Sequence, residues 1–168
     1  MSVHKILIVD DEEGVRNAIK RVLRPMDYDV IDAGSAEDAL MIIKKTNGID
    51  MVISDYCLQN MNGVDFLSEV NKNDPTVITI LITGHADLKV ALDAINRACL
   101  YKFILKPWDN EDLMVTVKRA LEQRDLIREN KRLLTEIRKK DLILQDLEKN
   151  NPGITKVKRD DSGSIIIS

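Results

Sequence analysis

The apolar residues of the first two thirds of the chain gather into five short runs: Val3–Val9, Tyr28–Ala33, Ile49–Ser54, Thr76–Thr83 and Tyr101–Leu105. The first is continuous rather than alternating, the pattern of a strand covered on both faces in a parallel sheet. Thr76–Thr83 is the stretch richest in Val, Ile and Thr, which favour a pleated backbone. Between the runs the spacing changes to that of helices. Val15, Ala18, Ile19, Val22 and Leu23 fall at i, i+3, i+4, i+7 and i+8, and Pro25 closes that helix. Ser35 with Asp38 marks a capped start for a second helix carrying Ala39, Leu40 and Ile43, stopped by Asn47-Gly48. A third helix follows the turn Asn60–Gly63, with Val64, Leu67 and Val70 inward, and ends near Asn73-Asp74-Pro75. A fourth is expected over residues 87–98, with Leu88, Ala91, Leu92 and Ile95 on one face.

Strands alternating with helices imply right-handed crossovers and an open, doubly wound parallel α/β sheet. Such sheets bind ligands beyond the carboxyl ends of their strands. Asp10 and Asp11 follow the first strand, Asp55 the third, Thr83 closes the fourth and Lys106 follows the fifth. Four of the five strands therefore deliver three acids, a hydroxyl and a cation to one edge.

Composition narrows the chemistry. The chain has 168 residues, 44% hydrophobic and 32% charged, with a net charge of −3. That is ordinary for a soluble chain and gives no general pull towards nucleic acid or an anionic membrane. Neither a signal-peptide pattern nor an apolar run long enough to cross a bilayer is present in the sequence. Cys57 and Cys99 have no CxxC spacing, which fits a reducing, cytoplasmic setting without a disulfide framework or zinc site.

Three carboxylates brought together raise one another's pKa unless a cation neutralises them. Oxygen ligands alone suit Mg²⁺, which takes one or two carboxylates and keeps room for a phosphate. A carboxylate can also be a nucleophile and form an aspartyl-phosphate. Asp55 is therefore read as the phosphoryl acceptor beside an ion held by Asp10 and Asp11, with Lys106 and Thr83 as donors to phosphoryl oxygens. Taken singly, Asp11 reads as a helix cap, Asp55 as a turn, Thr83 as a strand end and Lys106 as a solvated charge. Their common placement makes the site.

The segments Ile8-Val9-Asp10-Asp11-Glu12, Ser54-Asp55, Met61-Asn62-Gly63, Thr83-Gly84-His85-Ala86 and Lys106-Pro107-Trp108 together resemble the CheY-like receiver domain of two-component response regulators. The likeness covers about residues 3–122. It implies a flavodoxin-like sheet of order 2-1-3-4-5 and a receiver domain over 1–122. Asp55 is then the phosphoacceptor, Asp10, Asp11, Asp55 and the backbone carbonyl of Cys57 hold Mg²⁺, and Thr83 and Lys106 contact the phosphoryl group. Phe103 corresponds to the switch aromatic that moves with Thr83, and Cys57 and His85 border positions that tune phosphate lifetime. The partner implied is a sensor histidine kinase or phosphotransfer protein, and the chain is not expected to be an enzyme beyond its own phosphorylation and dephosphorylation. One departure is Gln59, where the family usually has proline, leaving that loop less fixed in φ. Phe103 also lacks a hydroxyl, so any switch there works by packing. Around Tyr101–Asp109 the chain is similar to receivers preceding HD-GYP-type phosphodiesterases and to those of nitrogen- and hydrogenase-control activators.

The last helix begins near Asp109 or Asn110, packs through Leu113, Val117, Ala120 and Leu121, and meets no breaker before Asn150-Asn151-Pro152-Gly153. Read as one helix, Asp109–Asn150 runs roughly 63 Å. Leu126, Asn130, Leu133, Ile137, Lys140, Leu144 and Leu147 are spaced 4-3-4-3-4-3. A coiled-coil extension over 123–150 joining two copies is expected, with Asn130 setting the register. The tail 151–168 reads as a small hairpin or a linker to an output domain, too short to hold a helix-turn-helix or an enzyme, and no direct nucleic-acid binding is expected from this chain. The competing readings are a phosphorylation-independent dimeric scaffold and an aspartyl-phosphate phosphatase. Asp10-Asp11-Glu12-Glu13 misplaces the general acid that haloacid dehalogenase-type phosphatases carry.

Overall fold

In the computed structural model, residues 3–84, 96 and 99–155 are described. His85, nearly all of the expected fourth helix and the tail from residue 156 lie outside them. Five strands, β1 (Lys5–Val9), β2 (Asp29–Ala33), β3 (Met51–Asp55), β4 (Ile78–Thr83) and β5 (Lys102–Leu105), form one parallel sheet in the order β2-β1-β3-β4-β5. Helices α1 (Glu13–Leu23), α2 (Ala36–Lys45), α3 (Gly63–Asn73) and α4 (Asn110–Asn150) complete the described elements.

The continuous apolar runs supply both faces of the sheet. Leu7, Val9, Val52 and Leu81 point one way, with Ala36, Phe66, Leu67 and Val70 of α2 and α3. Ile6, Ile8, Ile53 and Ile80 point the other way, with Ile19 and Leu23 of α1 and Leu113, Val117 and Leu121 of α4. Each such side chain, fully removed from water, contributes about 1.5–3 kcal/mol. Phe66 is fully buried and completes the face 63-66-67-70.

Caps fall where side-chain chemistry places them. The Ser35 hydroxyl accepts from the Asp38 N–H (3.1 Å), Asn62 Oδ1 from the Asp65 N–H (2.9 Å), and Asp109 Oδ1 from the Asp112 N–H (2.9 Å). Val3 is exposed and β1 starts only at Lys5, whereas β3 extends one residue beyond the apolar run, so Asp55 lies within the strand.

The chain divides into two compact units, Met1–Arg124 and Asp125–Ser168. Within the second, Leu126, Leu133, Ile137, Leu144 and Leu147 are exposed. Glu129, Arg132, Glu136 and Lys140 form a chain of ion pairs along the helix. After α4, Gly153 takes a positive φ of 90°, and Glu148 accepts from the Gly153 N–H (2.8 Å), the Thr155 N–H (3.1 Å) and the Thr155 hydroxyl (2.5 Å). Among the described residues, no helix is long and apolar enough to cross a membrane.

Candidate functional site

Parallel pairing brings every strand's carboxyl end to one edge, and the register sets the neighbours there. Val9 lies opposite Ser54, Asp55 opposite Ile82, and Thr83 opposite Leu105. The residues just after β1 and β5 therefore flank the last residue of β3. Oxygens of Asp10, Asp11 and Asp55 converge within 4.8 Å of one another. Asp10 and Asp55 are buried, and Asp11 is exposed. Lys106 reaches into this cluster from beyond β5, with Nζ 2.9 Å from Asp55 Oδ1 and 3.1 Å from Asp10 Oδ2.

The backbone around the cluster is tied down. Asp10 N–H donates to the Ala33 carbonyl (3.3 Å), and the Glu12 N–H to Asp10 Oδ1 (2.8 Å). The Asp10 carbonyl accepts from Arg16 Nη1 at 2.8 Å. Cys57 N–H donates to Asp55 Oδ2 at 3.1 Å, so its backbone is at the site while its side chain is exposed. Lys106 N–H donates to the Thr83 carbonyl (2.8 Å), and Lys106-Pro107 is a cis peptide. Thr83 is buried at the end of β4, and Phe103 is half-buried against the α2–α3 core.

Electrostatics follow from this burial. Desolvation pushes the Asp10 carboxyl above its ordinary value, outweighing the Glu12 N–H and the Lys106 ammonium. Lys106 moves up as well: burial works against its charge, and its bonds to Asp55 and Asp10 overcome that. A second cation meets this cluster's carboxylates with oxygen donors only, an arrangement that suits a hard divalent ion such as Mg²⁺. The residues present fit that ion.

A group whose folded pKa is raised stabilises the fold below its unfolded value and loses that contribution as pH rises through the folded one. In EDTA, Asp10→Asn is therefore expected to match the wild type below about pH 4 and to become the more stable protein towards neutrality. Urea unfolding across pH checks this, and equal midpoints at pH 7 would contradict it.

The sequence reading brought together Asp10, Asp11, Asp55, Thr83 and Lys106 at one edge, and all are there. It missed Arg16 and its carboxylate partner Asp32, whose signal was an acid inside the apolar run of β2. It also missed the close approach of Gly63 to the Asp55 backbone. Gly63 stood in the sequence only as half of a turn signal.

Comparison with known proteins agrees with this geometry. Residues 6–118 match the response regulator receiver domain family. The chain is 32% identical over 133 residues to the hydrogenase transcriptional regulatory protein HoxA of Cupriavidus necator, covering 79% of this chain and 27% of that protein. It is 36% identical over 132 residues to a putative response regulator, NtrX-like, of Rickettsia bellii, covering 77% of this chain and 27% of that one. The chain thus spans about a quarter of the length of these curated relatives, 27% in each case. Among solved structures, the signal receiver domain of an HD domain-containing protein from Pseudomonas fluorescens Pf-5 superposes with a TM-score of 0.73 at 32% identity. That match covers 77% of this chain and 94% of the other.

Proposed function

The chain belongs to the response regulator receiver family, and on that premise we propose that it is a phosphorylation-controlled switch with Asp55 as its acceptor. The observation that carries this reading is the convergence of Asp10, Asp11 and Asp55 within 4.8 Å, bridged by Lys106. The donor is a phosphohistidine on a sensor histidine kinase or a phosphotransfer protein. An Asp55 carboxylate oxygen attacks phosphorus as the phosphorus–nitrogen bond breaks, and the departing imidazole takes up a proton. Lys106 holds one carboxylate oxygen of Asp55 and then offsets charge on the phosphoryl oxygens, while the Cys57 N–H fixes the second carboxylate oxygen. Asp10, Asp11, Asp55 and the Cys57 carbonyl would hold Mg²⁺, which would supply neutralisation of the negative charge that gathers during transfer.

The Thr83 hydroxyl donates to the bound phosphoryl group and, in moving towards it, draws Phe103 inward. Phe103 has no hydroxyl, so the change is one of packing. It biases the face of β5 and the start of α4, with the helix expected over residues 87–98, and reaches a coiled-coil homodimer through residues 123–150. Cys57 and His85 tune the lifetime of the phosphoryl group. The protein works in the cytoplasm, turns over no other substrate, and binds neither nucleic acid nor membrane through this chain. Transcriptional regulation is the role of the longer hydrogenase regulator HoxA, of which this chain spans 27%.

Beryllofluoride with Mg²⁺, added to the full chain, is expected to change the fluorescence of Trp108, which lies two residues beyond Lys106 and packs on the α1–α4 core. An unchanged signal would contradict the switch and favour a scaffold. Dimerisation is tested separately. Leu133→Ser with Ile137→Ser is expected to turn a dimer into a monomer in sedimentation equilibrium. A wild type that sediments as a monomer would remove the coiled coil.

A further inference from the structure

Asp11 is the exposed member of the acidic trio, so packing does not aim its carboxylate. The backbone on either side of it is held instead. Downstream, the Glu12 N–H donates to Asp10 Oδ1 (2.8 Å). Upstream, the Asp10 carbonyl, which shares its peptide plane with the Asp11 nitrogen, accepts from Arg16 Nη1 (2.8 Å). Arg16 lies in the first turn of α1, and its guanidinium is itself clamped. Its Nε donates to Asp32 Oδ2 at 2.8 Å, and Lys20 Nζ sits 2.5 Å from the other oxygen of that carboxylate. Burial works to raise the Asp32 carboxyl, but the bonds from Lys20 and Arg16 outweigh it and hold Asp32 ionised below its ordinary value. The side chain of Arg16 is only 15% exposed. One planar fork thus joins β2, α1 and the β1–α1 loop.

Resting on the reading of the acidic cluster as a Mg²⁺ site, we propose that Arg16 is a positioning residue for metal binding: clamped by Asp32, it holds the Asp10 carbonyl and so sets the direction in which Asp11 presents its carboxylate.

The proposal has a distinctive sign. Arg16 is a cation beside an acidic pocket, so by charge alone its removal strengthens Mg²⁺ binding. As a positioning residue, its removal weakens binding, as loss of a group that orients a metal ligand does, by about 10-fold or more. Arg16→Lys keeps the charge and a partner for Asp32 but replaces the rigid fork with one flexible ammonium, so it also weakens binding.

The test is calorimetric titration of Mg²⁺ alone into the wild-type chain, Arg16→Met and Arg16→Lys, with urea unfolding of each. Both variants are expected to bind Mg²⁺ about 10-fold more weakly while unfolding cooperatively, and Asp32→Asn is expected to follow them. Tighter binding by Arg16→Met, or wild-type affinity in Arg16→Lys, would overturn the assignment and leave the pocket intact. A wild type that takes up no Mg²⁺ would overturn the pocket reading and the assignment with it.

Discussion

Gly63→Ala is expected to destabilise the protein by about 3 kcal/mol and to weaken Mg²⁺ binding in the molecules that still fold. A Cβ at this position would stand 2.0 Å from the Asp55 carbonyl oxygen, 2.9 Å from its carbon and 3.0 Å from Leu81 Cδ1. Two of these three atoms are backbone, so no rotamer change relieves the contact. Gly63 opens α3, capped by Asn62, and its N–H donates to the Tyr56 carbonyl at 2.8 Å, so the helix cannot simply withdraw. The strain falls on the peptide that carries Asp55, which couples a packing defect to the site. Urea unfolding and Mg²⁺ titration read the two effects. An alanine variant with wild-type stability and affinity would contradict the packing described.

Arg124→Met should cost about 3–5 kcal/mol, the usual penalty for stranding one member of a buried ion pair. Asp50 and Arg124 are both buried and joined through Asp50 Oδ1 and Arg124 Nη1. Asp50 Oδ2 accepts from the Lys5 N–H at 2.8 Å, and Arg124 Nε donates to the Thr76 carbonyl at 2.8 Å. The pair thereby ties α4 to the entry ends of β1, β3 and β4, at the edge opposite the acidic cluster. Against a typical total stability of about 5–15 kcal/mol, the loss is severe. Adding Asp50→Leu to Arg124→Met is expected to recover most of it, because the stranded charge is then gone. Chemical denaturation of the single and double variants measures both. A single variant within about 0.5 kcal/mol of wild type would contradict the role given to the pair.

These two predictions mark where sequence and structure part. The sheet was legible because short apolar runs such as Val3–Val9 and Ile49–Ser54, alternating with helical spacing, fit strands covered on both faces. The site was legible because parallel topology sends Asp10, Asp55, Thr83 and Lys106 to one edge whatever the side-chain details. Contacts distant in the chain were not. Asp50 read as a polar interruption in an apolar run, and nothing in the sequence joined it to Arg124, 74 positions on. Asp32 had the same ambiguity until Arg16 and Lys20 were placed against it. Gly63 was recognised beside Asn62 as a turn, yet its φ is not positive. What it provides is room for the Asp55 carbonyl, and only coordinates reveal that. The helix α4 was legible from its lack of breakers before Asn150, and its exposed heptad positions carry the dimer proposal.

The central claim is that Asp55 takes one phosphoryl group with the help of Mg²⁺. Intact-mass spectrometry of the full chain after incubation with a small phosphoramidate and Mg²⁺ addresses it most directly. The wild type is expected to gain the mass of a single phosphoryl group, the gain to vanish in EDTA, and Asp55→Asn to gain nothing. An Asp55→Asn variant that gains the same mass, or a wild type that gains none while releasing many equivalents of phosphate, would contradict it.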